Sequence, residues 1–99
     1  MTDHKTHLSR AARIETTLVA QLVPSSLTLV DESGLHNGHA GARPGGETHY
    51  RLRVVSDAFT SLSRVARQRL VYDLLREEFD TGLHALSLEL KTPSEAGPS

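Results

Sequence analysis

The sequence predicts an α+β domain of order α-β-β-α-β: a three-stranded mixed sheet with its helices packed on one face. Three observations predict it. Two stretches repeat apolar residues at three- and four-residue spacing, as helices do. Three others alternate apolar and polar residues, as half-buried strands do. The last strand–helix–strand unit calls for a right-handed crossover, which makes its two strands parallel.

Residues 1–8 read as a polar tail, with His4 and His7 in solvent. Ser9 can cap a helix that runs to about Leu22, where Ala11, Ile14, Leu18 and Leu22 fall on one face. Pro24 and two serines end it. Leu27 to Asp31 reads as a strand with Leu27 and Leu29 on one side. Glu32 to Glu47 holds five of the seven glycines and Pro44, and reads as a long loop. Loops of this length are usually functional or disordered.

Thr48 to Val55 is the clearest strand, because Tyr50, Leu52 and Val54 alternate with His49, Arg51 and Arg53. It should run antiparallel to the first. Ser56 to Leu62 is a turn region holding Phe59. Ser63 then caps a second helix that ends near Phe79, with Leu62, Val65, Val71, Leu74 and Leu75 as its buried stripe and Leu70 beside it. Gly82 stops the helical region. Leu83 to Lys91 is the third strand, with Leu86, Leu88 and Leu90 facing the core. Thr92 to Glu95 forms a capping box with proline at the first helical position, but Gly97 and Pro98 limit it to one turn. The domain is thus expected over 9–93, with a flexible C-terminal tail over 94–99.

Composition narrows the function. A net charge of −1 gives no global field toward nucleic acid or anionic lipid. The chain has no cysteine, so it cannot form a disulfide or a thiolate metal site by itself. No apolar run approaches the ~20 residues needed to cross a bilayer. The first ten residues lack the apolar core of a signal peptide. The expectation is a soluble, cytoplasmic protein without membrane contact. There is no nucleophile elbow or other catalytic signature, so neither catalysis nor a small-molecule substrate is expected.

The histidines are the chemistry-bearing residues. The loop leaves the first strand and enters the second at one edge of the sheet, and a parallel third strand starts at that same edge. His36, His39, His49 and His84 should therefore gather at one end. By parity, His49 should point away from the core and His84 toward the helix side. A histidine on such a rim is either a satisfied structural residue or a metal ligand, and the spacing matches no zinc signature. The arginines offer a second feature. Arg51 and Arg53 on one strand face, with Arg64, Arg67 and Arg69 on the second helix, could contact phosphates and give weak DNA binding. The competing reading is a solvated face balanced by Asp73, Glu77 and Glu78. Aromatic content of 4% argues against base stacking.

Several motifs occur in a specific order. Asp31-Glu32-Ser33 is followed by His36-Asn37, then by Gly46-Glu47-Thr48-His49-Tyr50 and by Val54-Val55-Ser56-Asp57 with Phe59. Arg67-Gln68-Arg69-Leu70-Val71-Tyr72 leads on to Leu75, Glu77-Glu78 and Leu83-His84-Ala85-Leu86. This succession, over roughly residues 10–93, resembles the BolA family. The resemblance implies a class II KH-like fold. It also implies pairing with a monothiol glutaredoxin in a heterodimer that shares a 2Fe-2S cluster, with thiolates supplied by the glutaredoxin and by glutathione. On this side it implies His84 and a loop histidine as ligands, His36 by position, with His39 as the alternative because the loop is longer than usual. The isolated chain would then carry no cofactor. The family's other implied role is that of a DNA-binding transcriptional regulator of stress response and cell morphology. Two positions depart from the family pattern. Gln68 stands where the family has histidine between two arginines. Phe59-Thr60-Ser61 lacks the usual glycine, so no Gly-x-x-Gly backbone clamp is present.

Overall fold

The structure, a computed structural model, describes residues 9–32 and 48–97. Helix α1 spans Arg10–Leu22, strand β1 Ser26–Asp31, strand β2 His49–Val55, helix α2 Arg64–Leu74, helix α3 Arg76–Asp80, strand β3 Ala85–Lys91 and helix α4 Pro93–Ala96. A single 3-10 turn, Asp57–Phe59, lies between β2 and α2. The sheet order is β1-β2-β3, antiparallel between β1 and β2 and parallel between β2 and β3, as the sequence predicts.

Local chemistry starts the helices where expected. Ser9 Oγ accepts the Ala12 N–H at 3.1 Å, and Ser63 Oγ accepts the Ala66 N–H at 3.1 Å. Each satisfies one of the amides a helix start leaves unpaired. The register then stacks the inward residues in rows, Leu27–Val54–Leu90 and Leu29–Leu52–Leu88. Ile14, Leu18 and Leu22 of α1 and Val71 and Leu75 of the α2 region close over these rows, with Phe59 and Leu83 sealing the ends. Ile14, Leu18, Leu52, Val54, Phe59 and Val71 are 0% exposed. Burying a side chain of this kind contributes roughly 2 kcal/mol.

Three expectations change. The second helix is two helices, because Leu75 leaves helical geometry at φ −106 and ψ 16. Val65, expected in the buried stripe, is 54% exposed. Its spacing from Val71 and Leu75 puts it on another side of α2. The third strand begins at Ala85 instead of Leu83, although Leu83 is buried in the turn before it. The single helical turn expected after the last strand is present. Thr92 and Glu95 complete the capping box, and α4 occupies the start of the expected tail.

Candidate functional site

The ends of the strands bring the site together. In the antiparallel pair, Asp31 at the end of β1 lies opposite Tyr50, and the Glu32 N–H donates to the His49 carbonyl at 2.7 Å. The connection of residues 33–47 therefore leaves and returns at this rim. His36 and His39 belong to it and lie outside the described residues. The parallel ladder sets Ala85 beside His49. The Thr48 carbonyl accepts two amides, from His84 at 2.8 Å and from Ala85 at 3.1 Å.

His49 and His84 consequently face one another, with ring centroids 6.0 Å apart and planes inclined by 39°. This corrects the parity expectation, which sent them to opposite sides of the sheet. Alternation holds only inside a strand. His84 precedes β3 and shares its acceptor with Ala85, so its side chain escapes the inward row and is exposed. His49 is half-buried, and its Nδ1 lies 2.9 Å from Thr48 Oγ1.

The turn that delivers His84 is pinned from behind. The buried Glu78 carboxylate accepts Arg10 Nη1 at 2.8 Å, Arg13 Nε at 2.9 Å and Arg13 Nη2 at 2.9 Å. Arg10 also donates to the Glu78 and Thr81 carbonyls, at 3.0 and 3.1 Å. The Arg13 hydrogen bond, reinforced by the charges of both arginines, holds the Glu78 carboxyl below the usual carboxylate range. Gly82 sits at φ +136, and a Cβ there would come within 2.9 Å of Arg10 Nη2. The sequence reading missed this cluster and counted Glu78 among the acids balancing the α2 arginines. No local pattern signals it, since its members meet only through the tertiary fold.

The five arginines proposed for phosphate contact do not form one patch. Arg51 pairs with Glu32 at 2.6 Å and Arg53 with Glu89 at 3.3 Å, both on the open face of the sheet. Arg67 is consumed structurally. It donates to the Leu62 and Leu90 carbonyls at 3.0 and 3.1 Å, grips Glu95 at 2.6 and 3.0 Å, and lies 5.9 Å from the Phe59 ring centroid. Arg64 and Arg69 are exposed on α2 and make no ion pair with a described residue.

Imidazole nitrogen is the metal-binding chemistry this rim presents. Among the described residues no group of three histidine, cysteine or acidic side chains converges. The chain has no cysteine, so any metal chemistry at this rim would rest on imidazole nitrogen and not on thiolates of its own. No helix among the described residues is long and apolar enough to cross a membrane.

A family model described as BolA-like protein matches residues 18–95. The chain is similar to "Protein BOLA1, chloroplastic" of Arabidopsis thaliana, 50% identical over 90 residues, which cover 89% of this chain and 56% of that one. It is likewise 50% identical over 91 residues to "SufE-like protein 1, chloroplastic/mitochondrial" of the same plant, covering 88% of this chain and 24% of that one. It therefore spans about half of one relative and about a quarter of the other. Among solved structures it resembles BolA1 from Arabidopsis thaliana, with a TM-score of 0.82 and 48% identity over 92% of this chain and 98% of that one.

Proposed function

The chain belongs to the BolA-like family, and from that premise we propose that it donates histidine ligands to a 2Fe-2S cluster shared with a monothiol glutaredoxin, in iron–sulfur trafficking or iron and redox regulation. The observation that carries the reading is the rim itself. An exposed His84 stands 6.0 Å from His49, where the 33–47 connection with His36 and His39 begins and ends. The cluster would bring redox chemistry. This chain's residues would supply neutral imidazole nitrogens, and the glutaredoxin cysteine and glutathione the thiolates. A similar domain within a relative named SufE-like supports the iron–sulfur connection. The role is that of a ligand donor, not a catalyst. It calls for a reducing, aqueous compartment, either the cytoplasm or an organelle interior such as those named for the Arabidopsis relatives.

The test is mixing with a cluster-loaded monothiol glutaredoxin. A heterodimer should form whose absorption and paramagnetic spectra differ from the glutaredoxin homodimer's. His84→Ala should abolish that difference and leave the fold intact, because an exposed ring opens no core cavity. His36→Ala should weaken it. His49→Ala should weaken it also, because its ring lies 6.0 Å from that of His84. Acidification should dissociate the mixed complex, since imidazole binds metal only when neutral. An unchanged spectrum in His84→Ala would return that residue to a structural role. A second reading, a DNA-binding regulator, is favoured by Arg64 and Arg69. Tight, sequence-dependent binding at physiological salt would put it first.

A further inference from the structure

Among the described residues no strand pairs with the outer edge of β3. The ladder to β2 uses the odd-numbered residues, as the bonds at its two ends show. Ala85 N–H donates to the Thr48 carbonyl at 3.1 Å, and the Lys91 carbonyl accepts the Ser56 N–H at 2.9 Å. Backbone alternation therefore turns the N–H and C=O groups of Leu86, Leu88 and Leu90 outward. Helix α2 takes up the acceptors of this edge. Arg67 Nη1 donates to the Leu90 carbonyl at 3.1 Å, and the Tyr72 hydroxyl donates to the Leu86 carbonyl at 3.5 Å. The edge is left rich in donors. Around Leu88 and Leu90 it faces a cavity of about 610 Å³ between β3, α2 and α4, walled on the helix side by Arg64 and Gln68.

We propose that this groove receives an extended segment of a partner protein, which joins the sheet as a fourth strand along β3 and sets a carboxylate side chain against Arg64. Strand addition to an open edge draws its affinity from main-chain hydrogen bonds, and this edge offers Leu88 with both of its groups outward. The charges select an acidic side chain at one position. Arg67 is held by Glu95 and Lys91 by Glu89, whereas Arg64 makes no ion pair with a described residue. Val65 and Tyr72 recur with Gln68 at helical spacing and are 54% and 40% exposed, so the helix wall also offers apolar surface to alternate side chains of the incoming strand. A nucleic acid fits less well. It would need several phosphate contacts, and among the cavity's cations only Arg64 is not already paired with a carboxylate of a described residue. The site lies toward the far end of β3 from His84, so a protein held here leaves the histidine rim open. The inference stands independently of the iron–sulfur reading.

The probe is the peptide acetyl-Thr-Val-Glu-Val-Thr-Val-amide, titrated into the isotope-labelled full chain and followed by amide NMR. Shifts should concentrate in β3 and α2, and hydrogen exchange at the Leu88 and Leu90 amides should slow. Arg64→Glu, which sets a like charge against the peptide's carboxylate, should weaken binding about tenfold or more. Gln68→Trp should fill the groove and block it. Dispersed spectra of both variants would show that they fold. Shifts confined to another surface, or none at millimolar peptide, would overturn the proposal. So would a single-stranded oligonucleotide that perturbs the same amides at lower concentration, or self-association through β3, which would make a second copy the occupant.

Discussion

Val23 closes α1 in the left-handed region, at φ 43 and ψ 59, with 79% of its surface exposed. A side chain there crowds the following carbonyl, at a cost of roughly 1–2 kcal/mol, whereas glycine meets no such contact. Val23→Gly should therefore raise stability by about 1 kcal/mol, read as a higher urea midpoint. A lower midpoint would show that the valine packs to some purpose. Residue-scale features of this kind were legible only where their cause is local. Ser9, Ser63 and the Thr92–Glu95 box cap their helices as read, because a cap needs only its own turn. The direction of His84 was not legible. It depends on where pairing with β2 begins, and one residue of difference reverses a side chain.

At the scale of elements, the α3–β3 turn is the point where α1 governs the rim. Glu78→Ala would leave the Arg10 and Arg13 guanidiniums without their shared acceptor. Arg13 keeps partial access to water, with 38% of its side chain exposed, so the expected loss is on the order of 2 kcal/mol. Amide exchange at Leu83 and His84 should quicken in the same variant. Unchanged exchange there would separate the cluster from the rim. The split of the second helix shows why element boundaries escaped the sequence. No glycine or proline marks Leu75, and the break follows from packing, which buries Leu75 at 1% exposure and turns Glu78 inward. The strands were plainer, because alternation in β2 repeats with every residue of a sheet that is buried on one side.

At the scale of the whole molecule, three carboxylates among the described residues are held below their ordinary value of 4.5. Hydrogen bonds from Arg13 do this for Glu78 and from Arg53 for Glu89. For Glu95, hydrogen bonds from Arg67 and then from the Thr92 amide lower it to about 2. Their affinity for protons is lower folded than unfolded. The stability they contribute is therefore complete above about 4.5 and lost as pH falls from there toward 2. Urea midpoints should hold level near neutrality and decline through that window. Arg67→Ala should flatten the most acid part of the decline, and salt should blunt the surface pairs more than Glu78. A midpoint that stays level to pH 2 would mean that these pairs persist in the unfolded chain. The overall topology was legible in full, since element order and crossover handedness leave few arrangements. The partition of the arginines was not, because it depends on which acids the fold carries to each face.

The carbonyl of Thr48 and the amide of His84 belong to distant parts of the chain, and the bond between them forms only when the parallel ladder zips. Such non-local pairing is slow relative to helix formation. During synthesis, β3 leaves the ribosome long after β2, so the nascent chain carries its histidines apart. The pairing of His49 with His84 is therefore a late event, completed only when β3 joins the sheet.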